Sequence, residues 1–600
     1  MRLTGGQIIV EYLIAEGVPY AVGIPGHGCL GLVDAFLDKR DRITMLQPRC
    51  ENGAVYLADG YYRASGRPLA VFTSIGPGAI NTAIGVATAY VDSTAMLVLT
   101  GDTHTHMMGK GVLQEIERRQ DSAFTHVLSP ITKRHWRATQ PDQLPNILWR
   151  AFNEMMTGRR GPVLISLPMN VQADSADVEI PVPAERRGTD RTVGDPGAIV
   201  RAAAMLAQAK RPVILAGGGI NSSQAWEELR AVAEFLGAAV VTTFQGKGCF
   251  PEDHALSGWL TGAKGTHCGI RLATQSDVML AVGCRFADET ASSYRPGAAL
   301  RIPPTKLIHI DIDGGEIGKN YPVAVGIVGD ARATLTELLK CLQAEHTPKD
   351  YRSTPYGAEI QRERQAWFDH IARWADDAKE PMMITCLLRE IRRFLDRDAI
   401  VVSSSGNTQA QILQEFPFYL PRTNITTGGF STMGWSMPAA LGAKLACPNR
   451  QVVAIMGDGD YMMTMAELAT AVQHHIPVVV VIANNVGWHS IKDLQVAVLG
   501  QERALHVEFL DGAGRPCTPN FAEVAKAFGA HGERITHSAQ VRPALERAFA
   551  AGKPAVVEAM CQRDHPYTGS PAVGWWDVPI PTYLTERRAR YERERAEERI

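Results

Sequence analysis

The stretch QVVAIMGDGDYMMTMAELATAVQHHIPVVVVIANN, residues 451–485, decides the fold of this chain. It opens with an apolar run of the length of a buried strand, which Gly457-Asp458-Gly459 ends. Apolar residues then recur at helical spacing until a proline stops the pattern, and a second apolar run leads into Asn484-Asn485. This order predicts a strand–helix–strand crossover in a parallel sheet, with both strands ending at the same edge.

Polar side chains follow both strands at that edge. Asp458 and Asn485 each offer oxygen, the ligand type that Mg²⁺ prefers, and phosphate oxygens would complete the coordination. Gly457 and Gly459 let the backbone approach a ligand closely, and the N-terminus of the next helix favours an anion. The sequence therefore predicts a metal-bridged diphosphate site. An ordinary strand–helix–strand unit with a loop aspartate is the alternative.

Gly-Asp-Gly, a helix and Asn-Asn at this spacing resemble the signature of the acetolactate synthase and pyruvate oxidase superfamily, whose members depend on thiamine diphosphate. The resemblance implies that thiamine diphosphate and Mg²⁺ are cofactors. It further implies that Asp458, Asn485 and the main-chain carbonyl of Gly487 hold the metal. The similarity extends over nearly the whole chain.

A chain of 600 residues is too long for one hydrophobic core. With the resemblance, its alternating strand and helix patterns predict an α/β fold with three doubly wound parallel-sheet domains and a C-terminal tail. The predicted parts are a pyrimidine-binding domain (1–175), a central nucleotide-binding-like domain (198–345), a diphosphate- and Mg-binding domain (375–562) and a tail or lid (563–600). Trp575-Trp576 in that tail either packs on the surface or closes over the active site.

Composition excludes several classes of partner. The formal charge of −2 gives no reason to expect nucleic acid or an anionic membrane surface. No apolar run reaches the length of a membrane span. The ten cysteines form no CxxC pair, which favours reduced thiols and a cytoplasmic enzyme.

Glu51 stands at a predicted helix start, in Arg49-Cys50-Glu51-Asn52-Gly53-Ala54. On its own, a glutamate there is more often a partner of the helix dipole. The superfamily uses a glutamate in a similar context to activate the aminopyrimidine of thiamine, so the resemblance implies that Glu51 is catalytic. It also implies that Met433 supports the bent cofactor and that the carbonyl of Ser431 faces the aminopyrimidine. Filling of core space is the alternative for Met433.

Two departures from acetolactate synthases concern the substrate. Glu289 stands where those enzymes carry an arginine thought to bind the acceptor carboxylate, and a carboxylate there would repel a second 2-oxo acid. His27 replaces a glycine, as in the cyclohexane-1,2-dione hydrolase branch, and would act on a carbonyl intermediate; a surface histidine is the alternative. Gln114 matches an active-site glutamine of several branches.

The resemblance implies an enzyme that makes or breaks a C–C bond next to a carbonyl, acting on a 2-oxo acid as decarboxylase or carboligase. A lyase or hydrolase acting on a 1,2-dione or a 2-hydroxyacyl-CoA, and a non-catalytic cofactor-binding relative, are the alternatives. The central domain would hold FAD, ADP or nothing. The resemblance also implies a homodimer at minimum, commonly a homotetramer, because Glu51 and the Asp458/Asn485 site of this superfamily come from different subunits.

Overall fold

The computed structural model describes residues 1–117, 124–188, 190–563 and 578–596. Within them lie three six-stranded sheets and a small antiparallel pair. Every strand pairing in the six-stranded sheets is parallel. The predicted α/β fold with three doubly wound parallel sheets is confirmed. Trp575 and Trp576 lie outside the described residues.

The first sheet is built from the N-terminal third of the chain, with strand order β3-β2-β4-β5-β7-β6, and β1 pairs with β8 beside it. The strands of this part of the chain, those of the small pair included, are β1 Arg2–Thr4, β2 Tyr20–Gly23, β3 Thr44–Leu46, β4 Ala70–Thr73, β5 Leu97–Asp102, β6 Arg134–Arg137, β7 Val163–Pro168 and β8 Ser175–Asp177. Its helices are α1 Gly5–Ala15, α2 Leu30–Leu37, α3 Glu51–Ser65, α4 Pro77–Asn81, α5 Ala83–Val91, α6 Phe124–Leu128, α7 Leu144–Met156 and α8 Met169–Ala173.

The central sheet has the order β11-β10-β9-β12-β13-β14, which is the order of dinucleotide-binding folds. Its strands are β9 Pro212–Ala216, β10 Ala239–Thr242, β11 Ser257–Leu260, β12 Val278–Val282, β13 Lys306–Asp311 and β14 Val325–Val328. Its helices are α9 Pro196–Ala207, α10 Gly218–Ser223, α11 Trp226–Leu236, α12 His267–Thr274, α13 Asp288–Ala291, α14 Ala331–Glu345 and α15 Pro355–Ala372. The last of these lies between the predicted central domain (198–345) and the predicted third domain (375–562).

The third sheet repeats the topology of the first, with the order β16-β15-β17-β18-β20-β19. Its strands are β15 Ile400–Ser403, β16 Asn424–Thr426, β17 Val452–Gly457, β18 Val479–Asn484, β19 His531–Ile535 and β20 Ala555–Met560. Its helices are α16 Ile384–Phe394, α17 Gly406–Glu415, α18 Ser436–Ala446, α19 Asp458–Thr464, α20 Glu467–Gln473, α21 His489–Leu499, α22 Phe521–Ala527 and α23 Val541–Ala550, and α24 Thr585–Arg595 follows in the charged tail.

Helices α3 and α18 join the first and third domains at van der Waals distance. A Cβ on Gly60 would lie 2.0 Å from the carbonyl oxygen of Ala439, and one on Gly442 would lie 1.9 Å from that of Leu57. Only glycine allows so close an approach of two helix backbones. The helix that begins at Glu51 is therefore held rigidly against the third domain of the same chain.

Candidate functional site

The three predicted metal-binding positions lie together at the carboxyl edge of the third sheet. Asp458 opens helix α19 directly after β17, and Asn485 follows β18, the neighbouring parallel strand. The carboxylate of Asp458 accepts the N–H of Gly459 at 3.0 Å and that of Gly487 at 3.1 Å. The turn after Asn485 is thus tied to the aspartate that follows Gly457, as the crossover geometry requires.

The charge of Asp458 suits a bound cation. Its residue is 1% exposed, and this burial raises the pKa of its carboxyl to about 6. Backbone N–H groups that face the carboxylate, including those of Gly459 and Gly487, oppose this rise in pKa. No cationic side chain among the described residues pairs with this buried carboxylate, which fits a divalent cation, and the amide of the buried Asn485 adds a second oxygen donor.

The chain beyond Asn485 forms one wall of this site. The N–H of Trp488 donates to the carbonyl oxygen of Val507 at 2.7 Å, which brings the indole over Gly459. A Cβ on Gly459 would lie 2.2 Å from that ring. Nε2 of His489 donates to the carbonyl oxygen of Asn485 at 2.9 Å, and burial lowers the pKa of this histidine, so it is neutral.

The glycine-rich segment that carries Ser431 and Met433 follows strand β16. Ser431 has a left-handed φ of 50°, and its hydroxyl lies 3.0 Å from that of Ser405. The buried carboxylate of Asp460 anchors the end of the segment by accepting the N–H of Gly434. Met433 is half-buried rather than part of the core, so its side chain is available to a ligand.

Glu51 is the first residue of helix α3 and is half-buried. Its Oε2 accepts a hydrogen bond of 2.8 Å from Nδ2 of Asn81, and its Oε1 lies 3.1 Å from where a Cβ on Gly78 would stand. Sequence reasoning missed Asn81. The feature that could have pointed to Asn81 is its place as a polar residue on the short helix α4, which follows the glycine-rich turn after β4.

His27 and Gln114, which the sequence analysis singled out separately, lie close together in the structure. Nδ1 of His27 is 3.2 Å from Oε1 of Gln114, and both side chains are exposed in the single chain. Gln114 has a left-handed φ of 69°. The adjacent Glu115 fixes the loop, because its carboxylate accepts the N–H groups of Gly109 and Gly111 at 2.9 and 3.0 Å.

Within one chain, the predicted residues form two groups. Glu51 and its donor Asn81, like His27 and the adjacent Gln114, all belong to the first domain. The groups that bond Asp458 belong to the third domain. Each group stands at the carboxyl edge of its own parallel sheet, where ligands bind in such folds.

Glu289 on helix α13 reaches the glycine-rich segment of the third domain. Its carboxylate oxygens lie 2.8 and 2.9 Å from where a Cβ on Gly429 would stand. Burial raises the pKa of this carboxyl, and the Arg285 guanidinium opposes the rise. Arg285 itself donates to the carbonyl oxygen of Val91 at 2.6 Å. The position that the sequence singled out is therefore next to the segment of Ser431 and Met433.

A cavity of about 530 Å³ lies at the carboxyl edge of the central sheet. It opens between β9 and β12, where the strand order reverses. A Cβ on Gly219 would lie 2.5 Å from Cα of Gly283, so the loops after these two strands pack closely at its floor. Arg159, Arg191 and Arg285 are among its cationic lining residues.

Comparison with known families covers all three domains. The model of the N-terminal TPP binding domain of thiamine pyrophosphate enzymes matches residues 3–123. The model of the central domain of these enzymes matches residues 199–338, and that of the C-terminal TPP binding domain matches residues 404–559. Helices in the described residues 1–117, 124–188, 190–563 and 578–596 include none long and apolar enough to cross a bilayer.

Full-length relatives agree with these matches. A probable acetolactate synthase large subunit of Methanocaldococcus jannaschii is 35% identical, over 93% of this chain and 91% of the relative. The acetolactate synthase isozyme 3 large subunit of Escherichia coli K12 is 32% identical, over 91% and 92%. The acetolactate synthase large subunit of Corynebacterium glutamicum is 33% identical, over 94% and 87%. The chain belongs to the thiamine-pyrophosphate-dependent enzymes and, within them, is acetolactate synthase-like.

Proposed function

We propose that this enzyme acts on a 2-oxo acid, as a decarboxylase or carboligase that makes or breaks the C–C bond next to the carbonyl. One observation carries the proposal: a glutamate heads helix α3 with its carboxylate oriented by Asn81. A cofactor-binding relative without catalysis would have no need of an acid at that position. Thiamine diphosphate, when bound, supplies the electron sink for this chemistry.

The geometry of the third domain supports the proposed cofactor-holding roles. Asp458, Asn485 and the carbonyl of Gly487 would hold Mg²⁺, and the N-terminus of helix α19 would face the diphosphate. Met433 would support the bent cofactor, and the carbonyl of Ser431 would face its aminopyrimidine. Trp488 excludes water from the side of Gly459.

Proton transfers fall to the residues of the first domain. Glu51 would hold a proton at the pyrimidine nitrogen through Oε1, since Asn81 occupies Oε2. His27, oriented by Gln114, would donate or accept a proton at the substrate carbonyl. Both side chains are reachable from outside the single chain, in keeping with a site completed by a partner subunit.

A second candidate is a lyase or hydrolase that cleaves a 1,2-dione or a 2-hydroxyacyl-CoA. The placement of Glu289 against Gly429 favours it, because a carboxylate at the glycine-rich segment would repel a second 2-oxo acid. The nearby Arg285 opposes this repulsion only in part, since it also bonds the carbonyl of Val91.

We further propose a homodimer at minimum, commonly assembling into a homotetramer, in which Glu51 of one subunit serves the cofactor held by Asp458 of the other. The names of the relatives as large subunits support an assembly of subunits. A cytoplasmic location is supported by the ten cysteines, all of which are described and free of disulfide bonds.

The central cavity is proposed to hold a nucleotide diphosphate, as FAD or ADP. Its place at the strand-order reversal and its arginines suit a pyrophosphate. The absorption spectrum of protein purified without added cofactor tests for FAD. Thermal shifts on addition of FAD or of ADP separate the two ligands, and no shift with either would contradict the proposal.

Product analysis tests the main proposal. Purified protein is incubated with thiamine diphosphate, Mg²⁺ and pyruvate, and the products are identified by NMR. Acetolactate would identify a synthase, and acetaldehyde a decarboxylase. Intact pyruvate, from protein shown to bind the cofactor, would contradict action on pyruvate; cleavage of a dione or a 2-hydroxyacyl-CoA would then establish the second candidate.

Replacement of the activating acid tests the role of Glu51. Glu51→Gln keeps the side-chain shape but cannot share a proton with the pyrimidine, so turnover should fall by about a hundredfold or more. Binding of Mg²⁺ and thiamine diphosphate, followed by calorimetry, should persist because the proposed ligands lie in another domain. Wild-type turnover in this variant would refute the assignment.

A further inference from the structure

A carboxylate of the third domain holds the turn that precedes Glu51. Glu467 opens helix α20 and is 2% exposed. Its Oε1 accepts the backbone N–H of Arg49 at 3.1 Å and that of Cys50 at 3.0 Å. Its Oε2 accepts the hydroxyl of Thr470 at 2.6 Å, which fixes the carboxylate plane.

The turn before Glu51 and the start of helix α3 both pack closely against helix α20. A Cβ on Gly53 would lie 2.3 Å from Oε1 of Glu467, so helix α3 can approach this carboxylate only through a glycine. At the other end of helix α20, Nε2 of the C-cap residue His474 accepts the N–H of Gln47 at 3.0 Å. The turn of residues 47–50 is therefore docked on α20 by its backbone.

Helix α3 relies on this contact for its start. Its N-cap residue is Cys50, whose side chain makes no capping hydrogen bond. An N-terminus without its own cap leaves backbone donors to be satisfied from elsewhere, and an anion there is favourable for the helix dipole. Glu467, which belongs to another domain, supplies that anion at the N–H of Cys50, the residue before Glu51.

We propose that Glu467 is a positioning residue for the activation of thiamine, which sets the place of Glu51 by holding the two peptide N–H groups in front of it. The inference rests on the proposed role of Glu51. Asn81 orients the carboxylate of Glu51 from the other side, so the acid is fixed at both its backbone and its oxygen.

The first test needs no cofactor. In Glu467→Ala the amides of Arg49 and Cys50 lose their acceptor, and their hydrogen exchange, measured by mass spectrometry on the cofactor-free protein, should rise at least tenfold. Unchanged protection of this turn would overturn the inference. This readout stands even if wild-type protein shows no thiamine chemistry, which would instead contradict the proposed function.

The second test follows deuterium exchange at C2 of bound thiamine diphosphate by NMR. A displacement of Glu51 by about 1 Å should slow this exchange roughly a hundredfold in Glu467→Ala. Glu467→Gln keeps an acceptor oxygen for both N–H groups and an amide for Thr470, so it should stay within about threefold of wild type. Wild-type exchange in the alanine variant, or equal loss in both variants, would refute positioning by hydrogen bonds.

Glu252→Gln provides a matched control. Glu252 is equally buried and also links two domains, by accepting the N–H of Phe418 at 2.8 Å while pairing with Lys247. Its loss should lower thermal stability without slowing C2 exchange. If Glu467→Ala does not fold, Glu467→Asp, whose shorter side chain cannot reach both N–H groups, takes its place, and wild-type exchange in it would equally refute the inference.

Discussion

The buried carboxyl of Glu415 makes stability depend on pH. Glu415 ends helix α17, and burial raises its pKa from 4.5 to about 8, although Thr385 and Gln411 oppose the rise. A raised acid pKa contributes stability that is fully present below pH 4.5 and is lost as the pH rises through 8. The loss amounts to about 1.4 kcal/mol for each pH unit in that window.

Glu415→Gln should therefore be more stable than wild type at pH 8 and similar to it at pH 4.5, because the amide never ionises. Urea unfolding at several pH values measures this difference. Glu546→Gln, on the exposed face of helix α23, is the control and should leave the pH dependence unchanged. Parallel curves for wild type and Glu415→Gln would contradict the prediction.

His27 carries a second prediction at this scale. His27→Gln removes the imidazole that faces Gln114 while keeping a polar side chain, so kcat/KM for the true substrate should fall roughly a hundredfold. Steady-state kinetics measures this, with His135→Gln on the exposed edge strand as the control. A loss of less than threefold would place the histidine outside the chemistry.

Residue identity predicted where part of the candidate site lies in the fold. Asp458, Asn485 and Glu51 stood in motifs with known spacing, and they lie at strand and helix ends as the crossover geometry demands. Asn81 and Glu467 carry no such pattern. They matter through hydrogen bonds to partners that are 30 and 417 positions away in sequence, respectively. A short-range sequence pattern cannot reveal such contacts.

Among the elements, helices α3 and α18 offer the sharpest packing prediction. Gly442→Ala would place a methyl group 1.9 Å from the carbonyl oxygen of Leu57 and 2.6 Å from the backbone nitrogen of Tyr61. Alanine favours an isolated helix by about 1 kcal/mol, but overpacking against backbone costs about 1–3 kcal/mol or more. The variant should therefore be less stable, as thermal unfolding will show.

Gly512→Ala is the matched control, because a Cβ there meets open space. Its stability should stay within about 0.5 kcal/mol of wild type. A Gly442→Ala protein as stable as this control would mean that the two helices can separate without cost.

Strands were the elements that the sequence predicted best. Strands β17 and β18 have too many consecutive apolar residues to be exposed, and both are buried. The helix between them was predicted as continuous to His475, but it is divided into α19 and α20 around Met465 and Ala466. Both residues favour helix, so local propensity gave no signal; the division places Glu467 against the turn before Glu51.

For the whole molecule, Arg63 joins all three domains. Its guanidinium pairs with Asp59 at 2.7 Å and Asp92 at 2.9 Å, both fully buried. It also donates to Gln245 of the central domain at 3.1 Å and to the carbonyl of Thr426 of the third domain at 2.7 Å. Removing one partner of such a buried network leaves uncompensated charge.

Arg63→Met should therefore cost about 3–5 kcal/mol of stability, measured by urea unfolding. Arg2→Ala, which removes an exposed pair with Asp177, should cost less than about 1 kcal/mol. Equal losses in the two variants would contradict the role of Arg63 as the junction.

Length, the repeated strand–helix pattern and the family resemblance together predicted three domains of one fold class. The bounds of the four predicted parts remain predictions, and helix α15 lies in the interval between the predicted second and third domains. The junction at Arg63 could not be predicted, because Gln245 and Thr426 are 182 and 363 residues away in sequence.

Some residues of the candidate site are held by tight packing and others are exposed, and this difference affects how the enzyme could evolve. Glu51 and Asp458 begin helices that close backbone contacts and buried carboxylates hold in place. His27 begins a single 3-10 turn and Gln114 lies in a loop, and both are exposed. Substitutions in the exposed segments around residues 27 and 114 would leave that packing intact, so directed evolution of substrate preference should be tolerated best at their neighbours, with His27 itself retained.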